Sequence, residues 1–169
     1  MNLVPTENGY KCLNDPGEFN PDGHRDGARW SVNEGEARLV SELCRGLRVL
    51  EIGTGLGVST RQIAMLAKIV HTVDIDIWVK NNVELPENAI FYNNIKDVPT
   101  GLDAAFIDGL HSYEQCKADI IDAKRIVKKG GLIVFHDTKM STIRKAIEDS
   151  NINGYHIDTP VGMAIGWND

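Results

Sequence analysis

The sequence predicts a doubly wound α/β fold, with helices on both faces of a mostly parallel seven-stranded sheet. Short runs rich in aliphatic and β-branched residues alternate along the chain with segments whose apolar residues recur at helical spacing. The last two strand-like runs, at 155–158 and 161–167, have no helical segment between them, which indicates a C-terminal antiparallel hairpin. At 169 residues the chain can form one domain with its own core.

Composition excludes several classes of function. A formal charge of −6 argues against broad electrostatic binding to nucleic acid, which requires a cationic face. The three cysteines lack CxxC spacing, so neither a disulfide framework nor a zinc knuckle is indicated. The first residues do not resemble an export signal, and no apolar run approaches membrane-spanning length. We therefore expect a cytoplasmic protein without a membrane partner.

Residues 1–30 are rich in turn formers and predict a loop-rich arm with little regular structure. This arm is either a lid over the active site or a frayed terminus. The main domain is expected to span residues 31–169. It opens with Ser-Val-Asn-Glu at 31–34, whose capping-box form predicts a helix with Leu39 and Val40 on its apolar face.

A glycine-rich loop follows the first strand of the main domain, Arg48–Ile52. Gly53, Gly55 and Gly57 interrupt the apolar run, and helical spacing resumes after them. Such a loop, between a buried parallel strand and a helix, brings backbone N–H groups against a nucleotide-like cofactor. We therefore expect a cofactor site here.

Two carboxylates end the second strand, at 69–76. Asp74 stands at the distance from the glycines at which a strand-terminal acid binds ribose hydroxyls. Asp76 is the second candidate, and a solvated strand-end acid is the alternative for either. The third strand, at 89–92, runs into Asn94, which either contacts the adenine or makes an ordinary turn.

Two more helices are predicted in the second half of the chain. Ser112 and Gln115 form a capping box at the start of the first, and the Lys-Lys-Gly sequence at 128–130 is expected to end it. The second covers residues 138–150. Its inward side chains are expected to be Met140, Ile143, Ala146 and Ile147.

The fourth and fifth strands, at 102–108 and 131–137, both end in aspartate. If these strands are neighbours, the tips bearing Asp108 and Asp137 lie about 4.8 Å apart. Carboxylate oxygens favour a hard divalent ion such as Mg²⁺ or Mn²⁺. His111, ahead of a predicted helix, is then placed to accept a proton from a substrate hydroxyl.

Structural roles are the alternatives for these side chains. Either aspartate can cap a helix or order a loop, and either histidine can be a hydrogen-bonded structural residue. Successive side chains of a strand point to opposite faces of the sheet. His136 is therefore expected on the face opposite Asp137, unless the strand has already ended there.

These motifs together resemble the class I S-adenosylmethionine-dependent methyltransferases, which have a Rossmann-like fold. The segment at 51–57 is similar to their first motif, and the C-terminal hairpin to the end of their sheet. Segments 106–113 and 129–137 are similar to a narrower branch that contains macrolide-sugar O-methyltransferases and cephalosporin-biosynthesis enzymes. The resemblance covers residues 31–169.

The resemblance implies O-methylation of a hydroxyl on a small molecule, with a sugar among the candidates and a homodimer left open. It makes Asp108 and Asp137 metal ligands and His111 the base. His136 stands where members of that branch have glutamate and is the third candidate ligand, which tilts the site towards transition metals. The implied cofactor residues are Glu51, Gly53, Thr54, Gly55, Gly57, Ser59, Asp74, Ile75, Asn94 and Asp108.

Two other functions compete with methyl transfer. An NAD-dependent oxidoreductase is disfavoured by the GxGxG spacing, since dinucleotide sites use GxGxxG. A non-catalytic cofactor-binding scaffold of the same fold is the second alternative, since fold does not guarantee activity.

Overall fold

The structure is a computed structural model that describes residues 3–6, 9–12 and 30–169, with side chains from Val32 onward. A small antiparallel sheet precedes the main domain. It consists of β1 (Leu3–Thr6), β2 (Gly9–Cys12) and β3 (Trp30–Ser31).

The main domain is built on a seven-stranded sheet with the order β6-β5-β4-β7-β8-β10-β9. Neighbouring strands from β6 to β8 are parallel, whereas β10 is antiparallel to both β8 and β9. The predicted fold class, including the hairpin, is therefore confirmed. The strands are β4 (Arg48–Ile52), β5 (Ile69–Val73), β6 (Ala89–Tyr92), β7 (Leu102–Ile107), β8 (Val127–Phe135), β9 (Gly154–Ile157) and β10 (Met163–Trp167).

Helices cover both faces of this sheet, and strand alternation divides the core between them. Ile107 and Phe135 pack on one face with the apolar side chains of α4 and α5, whereas Phe106 and Val134 pack on the other with those of α1 and α2. The helices are α1 (Glu34–Leu43), α2 (Val58–Leu66), α3 (Ile77–Asn82), α4 (Tyr113–Ile126) and α5 (Ser141–Glu148). No helix in the described part of the chain is long and apolar enough to span a membrane.

The N-terminal segment contains more regular structure than its composition predicts. Two of the turn formers that indicated a loop, Pro5 and Gly9, lie in short strands, and β1 pairs with β2 from Leu3 opposite Cys12 to Thr6 opposite Gly9. Most of the residues that suggested a lid, 13–29, lie outside the described residues. The lid therefore stays a prediction.

Three predicted boundaries were wrong. Asn33, not Ser31, caps α1, and its Oδ1 accepts a hydrogen bond from the Glu36 N–H at 3.0 Å. α4 ends at Ile126, because the chain from Val127 onward already pairs with β7 and makes 128–130 part of β8.

The last of these boundaries is the start of α5, which begins at Ser141 rather than at 138. The preceding residues, Thr138 and Lys139, donate backbone hydrogen bonds to the 161–162 turn instead of entering the helix. Ile143, Ala146 and Ile147 are buried as predicted. Met140 is not, because it lies ahead of the first helical turn and is 41% exposed.

Candidate functional site

The candidate site lies at the carboxyl ends of three adjacent strands, β4, β7 and β8. Ile52 at the end of β4 pairs with Ile107 at the end of β7, and Ile107 pairs with Phe135 at the end of β8. The segments that follow these strands carry the glycine loop, Asp108 and the His136–Asp137 pair. Parallel pairing thus brings together residues that are far apart in the sequence.

The glycine loop is pressed against the tip of β7. Gly53 has φ of +99°, and a Cβ built on it would lie 2.0 Å from the Asp108 carbonyl oxygen. Gly55 and Gly57 also have positive φ, and Gly57 caps α2. Only glycine is accommodated at position 53, because a side chain there would collide with backbone.

Glu51 lies beneath the glycine loop, fully buried. The Thr60 hydroxyl, on α2, donates to its Oε2 at 2.5 Å. Burial raises the pKa of Glu51 to about 7, and hydrogen bonds from Ser59, Thr60 and Thr72 offset only part of this effect. The predicted cofactor residue Glu51 therefore ties β4 to the first turn of α2.

Thr54 and Ser59, both predicted cofactor residues, are buried in the same loop region. The hydroxyl oxygen of Thr54 lies 2.7 Å from that of Thr72 on β5. This contact holds the glycine loop against β5.

Asp74 organises the tip of β5. Its two carboxylate oxygens accept from the N–H groups of Gly55 and Asp76, each at 2.9 Å. Ile75 beside it is 84% exposed, as an apolar residue facing a ligand site would be. Asn94 is exposed and accepts a hydrogen bond from the Lys96 N–H at 3.0 Å.

Asp108, His111 and Asp137 form a cluster of two carboxylates and an imidazole. The His111 Nε2 lies 2.9 Å from the Asp137 Oδ2 and 3.9 Å from the Asp108 Oδ1. Asp137, two residues after the end of β8, has φ of +55°, an uncommon conformation for a residue other than glycine. The strand has therefore ended before His136, so that alternation no longer separates His136 from Asp137.

His136 lies on the inner side of the cluster, and Glu36 holds it there. The His136 Nδ1 is 3.0 Å from both the Asp108 Oδ1 and the Asp137 Oδ2. Its Nε2 is 3.0 Å from the Glu36 Oε2. His136 and Glu36 are 6% and 2% exposed, so this link is shielded from water.

The carboxylates dominate the electrostatics of the cluster. Burial lowers the pKa of His111, but hydrogen bonds and charge from Asp108 and Asp137 outweigh burial and raise it to about 10. For Asp137, burial raises the pKa, and the two histidines outweigh burial and lower it below its usual range. At neutral pH His111 is then a cation, which can act as a base only if the carboxylate charge is offset.

The donor set fits a divalent cation. Asp108, His111 and Asp137 each offer a ligand atom, and these atoms lie within 4.8 Å of one another. Two of the donors are carboxylates, as hard divalent ions require, and a nitrogen donor admits transition metals as well.

Two buried carboxylates beneath the cluster were missed by the sequence interpretation. Glu36 reaches His136 across 100 positions in the sequence, and only its place after an N-cap asparagine marked it. Asp119 on α4 accepts from the Gln115 side chain at 2.8 Å, and a Cβ on Gly109 would lie 2.8 Å from its Oδ2. A side chain at position 109, in the loop between Asp108 and His111, would therefore require the Asp119 carboxylate to shift.

Solved structures with this fold include several methyltransferases. The Streptomyces achromogenes O-methyltransferase TomG, solved with S-adenosylmethionine, is 12% identical with a TM-score of 0.66 and 81% of each chain covered. The tRNA (m1A58) methyltransferase TrmI of Aquifex aeolicus is 18% identical with a TM-score of 0.65, over 81% of this chain and 69% of that one. A Bacillus cereus O-methyltransferase, solved with S-adenosylhomocysteine, is 16% identical with a TM-score of 0.63, over 81% and 82%.

The order of strands in the sheet is thus shared with methyltransferases of this fold. Residues 50–138 match the family described as methyltransferase domain, which is more than half of the 169 residues. The chain belongs to this family. No sequence among curated proteins matches it.

Proposed function

We propose that the protein transfers the methyl group of S-adenosylmethionine to a hydroxyl of a small molecule, with a sugar among the candidate acceptors, assisted by a divalent cation such as Mg²⁺ or Mn²⁺. The observation that carries the proposal is the cluster beside the glycine loop, where the His111 Nε2 lies 2.9 Å from the Asp137 Oδ2. Transfer to oxygen requires removal of a proton, and this cluster holds the groups for that task.

The donor side of the proposed site is the glycine loop with the tip of β5. Backbone around Gly53, Gly55 and Gly57 would hold the methionine part of the cofactor, with Glu51 supporting the loop from below. Asp74 and Ile75 would face the ribose and the adenine. Thr54, Ser59, Asn94 and Asp108 complete the proposed cofactor residues.

The acceptor side of the proposed site is the cluster itself. Asp108 and Asp137 would hold the cation, which supplies polarisation of the acceptor hydroxyl and offsets the carboxylate charge that otherwise keeps His111 protonated. His111 is then the base. Because the sulfonium supplies the leaving group, the protein mainly aligns donor and acceptor and takes up the proton.

The test uses purified protein, S-adenosylmethionine and a panel of hydroxylated small molecules that includes sugars. Release of S-adenosylhomocysteine measures turnover, with and without a chelator followed by Mg²⁺ or Mn²⁺. Asp108→Asn and His111→Ala should each reduce turnover by about 10²-fold or more, the usual contribution of an acid–base group. His156→Ala and Asp97→Asn change exposed residues and serve as matched controls.

Equal turnover in the parent protein and in both site variants would refute the assignment of the base and ligand. Calorimetry with S-adenosylhomocysteine and with NADH separates the proposal from the oxidoreductase alternative, because NADH binding alone would contradict it. Tight binding of S-adenosylhomocysteine without turnover of any acceptor would favour the non-catalytic scaffold.

A further inference from the structure

Glu36 has an unusual set of partners for a residue in the first turn of a helix. Instead of returning to the backbone of its own N-cap, its Oε2 faces the His136 Nε2 at 3.0 Å. Its Oε1 accepts from the Val161 N–H at 3.2 Å, and the Asn33 side chain donates to its Oε2. One buried carboxylate therefore joins α1, the tip of β8 and the turn before β10.

This arrangement fixes which nitrogen of His136 faces the cluster. With the Nε2 directed at Glu36, the Nδ1 points to the two aspartates, 3.0 Å from one oxygen of each. Around an octahedral ion such as Mg²⁺, neighbouring ligand atoms stand about 3.0 Å apart. The distances from the His136 Nδ1 therefore suit a histidine and two aspartates that are neighbouring ligands of one ion, and the ligand oxygens of the aspartates lie within 4.8 Å of each other.

We propose that Glu36 is a positioning residue that orients His136 as the nitrogen ligand of the cation, alongside Asp108 and Asp137. A metal-binding histidine commonly donates its other ring N–H to a carboxylate, and Glu36 is placed to receive it. The nitrogen makes the site prefer first-row transition metals to Mg²⁺. This inference rests on the proposed function, which supplies the cation.

The two histidines of the site then have separate tasks. The His136 side chain is 6% exposed and lies on the inner side of the aspartates, whereas that of His111 is 19% exposed. The more open position suits the residue that meets the acceptor. His111 therefore remains the base, and its loss should leave the nitrogen ligand in place.

Metal binding to the full chain tests this inference without any acceptor. Calorimetry gives the affinities for Co²⁺ and Mg²⁺, and visible absorption of bound Co²⁺ reports nitrogen ligation. His136→Asn puts an amide where the ring nitrogen stands and should lower the Co²⁺ to Mg²⁺ affinity ratio at least about tenfold, with a changed spectrum. Glu36→Gln should weaken Co²⁺ binding by about 10- to 100-fold.

Two control variants are measured alongside His136→Asn and Glu36→Gln. His111→Gln should retain the Co²⁺ spectrum of the parent protein, because His111 is not the nitrogen ligand. Glu34→Gln changes an exposed glutamate on the same helix and should leave Co²⁺ affinity unchanged. S-adenosylhomocysteine affinity is measured in every variant, and its retention shows that the fold and the cofactor loop are intact.

Several results would overturn the inference. The first is that the parent protein binds neither metal. The second and third are an unchanged ratio of Co²⁺ to Mg²⁺ affinity in His136→Asn and an unchanged Co²⁺ affinity in Glu36→Gln. The fourth is that His111→Gln loses the signature of nitrogen ligation in the Co²⁺ absorption spectrum. Failure of the proposed function would look different: the metal preferences would change as expected while no acceptor is methylated.

Discussion

Replacement of Glu51 by glutamine should make the protein more stable, and the gain should grow with pH. Glu51 is fully buried beneath the glycine loop, and burial raises its pKa from 4.5 to about 7. In the unfolded chain the carboxyl ionises near its ordinary pKa, so ionisation favours unfolding over the interval between these two values. Glutamine has nearly the same shape, can still accept from the Thr60 hydroxyl and does not ionise.

The magnitude follows from the two pKa values. One pKa unit corresponds to about 1.4 kcal/mol, so the full shift costs the parent protein roughly 3 kcal/mol once the pH exceeds the folded-state pKa. Below the unfolded-state pKa the cost vanishes, because both states are protonated. Between pH 5 and pH 8 the stability advantage of Glu51→Gln should rise by roughly 2.5 kcal/mol.

Urea unfolding of the two proteins at a series of pH values measures this difference. Other titrating groups are common to both proteins and cancel when their unfolding free energies are subtracted. Glu87→Gln is the matched control, since Glu87 is exposed and its replacement should give a nearly constant difference. A difference for Glu51→Gln that stays flat from pH 5 to pH 8 would show that the buried carboxyl has no raised pKa, and the reasoning would fail.

Three other predictions concern buried or crowded positions. Gly53→Ala should lower the unfolding free energy by at least about 2 kcal/mol and abolish S-adenosylhomocysteine binding. Gly55→Ala should have a milder effect, because an added Cβ there meets nothing within 4 Å. Equal effects of the two variants in denaturation and calorimetry would contradict this prediction. Burial raises the pKa of Cys44 to about 12 and that of Cys116 to about 11. Mass spectrometry should therefore find neither thiol alkylated by iodoacetamide at pH 8 before the protein unfolds. Alkylation of either thiol in the native protein would disprove this prediction. Burial raises the pKa of Asp119 from 3.8 to about 6. In urea unfolding, the stability of Asp119→Asn relative to the parent protein should therefore rise by roughly 2 kcal/mol between pH 4 and pH 7. A stability difference that does not change with pH would count against this prediction.

The order of strands and helices could be predicted because each element carries its own periodic pattern. Hydrophobic periodicity and caps such as Ser112 are local, and in the main domain they predicted the order of strands and helices correctly. Boundaries failed where a contact distant in sequence decided them. The pairing of Val127 with Leu102 extends β8 into residues that by themselves resemble the end of a helix.

The site was predictable in part for the same reason. Asp108 and Asp137 follow strands, so parallel pairing was sufficient to place their carboxylates together. The direction of the His136 ring was not predictable, because it depends on where β8 ends and on the left-handed conformation of Asp137. Glu36 was missed, since nothing near it in the sequence indicates a partner just after the end of β8.

In the proposed function, the distance between the donor and acceptor sides of the site is set by the sheet rather than by the loops. The Gly53 backbone lies against the Asp108 carbonyl, and the strands that carry them are paired up to their last residues. The next pairing, of β7 with β8, fixes Asp137 relative to Asp108 in the same way. Methyl transfer depends chiefly on alignment of donor and acceptor, and rigid strand tips give that alignment more reliably than loops would. In the proposed function, the strand tips would therefore fix the geometry of transfer, and the surrounding loops would select the acceptor.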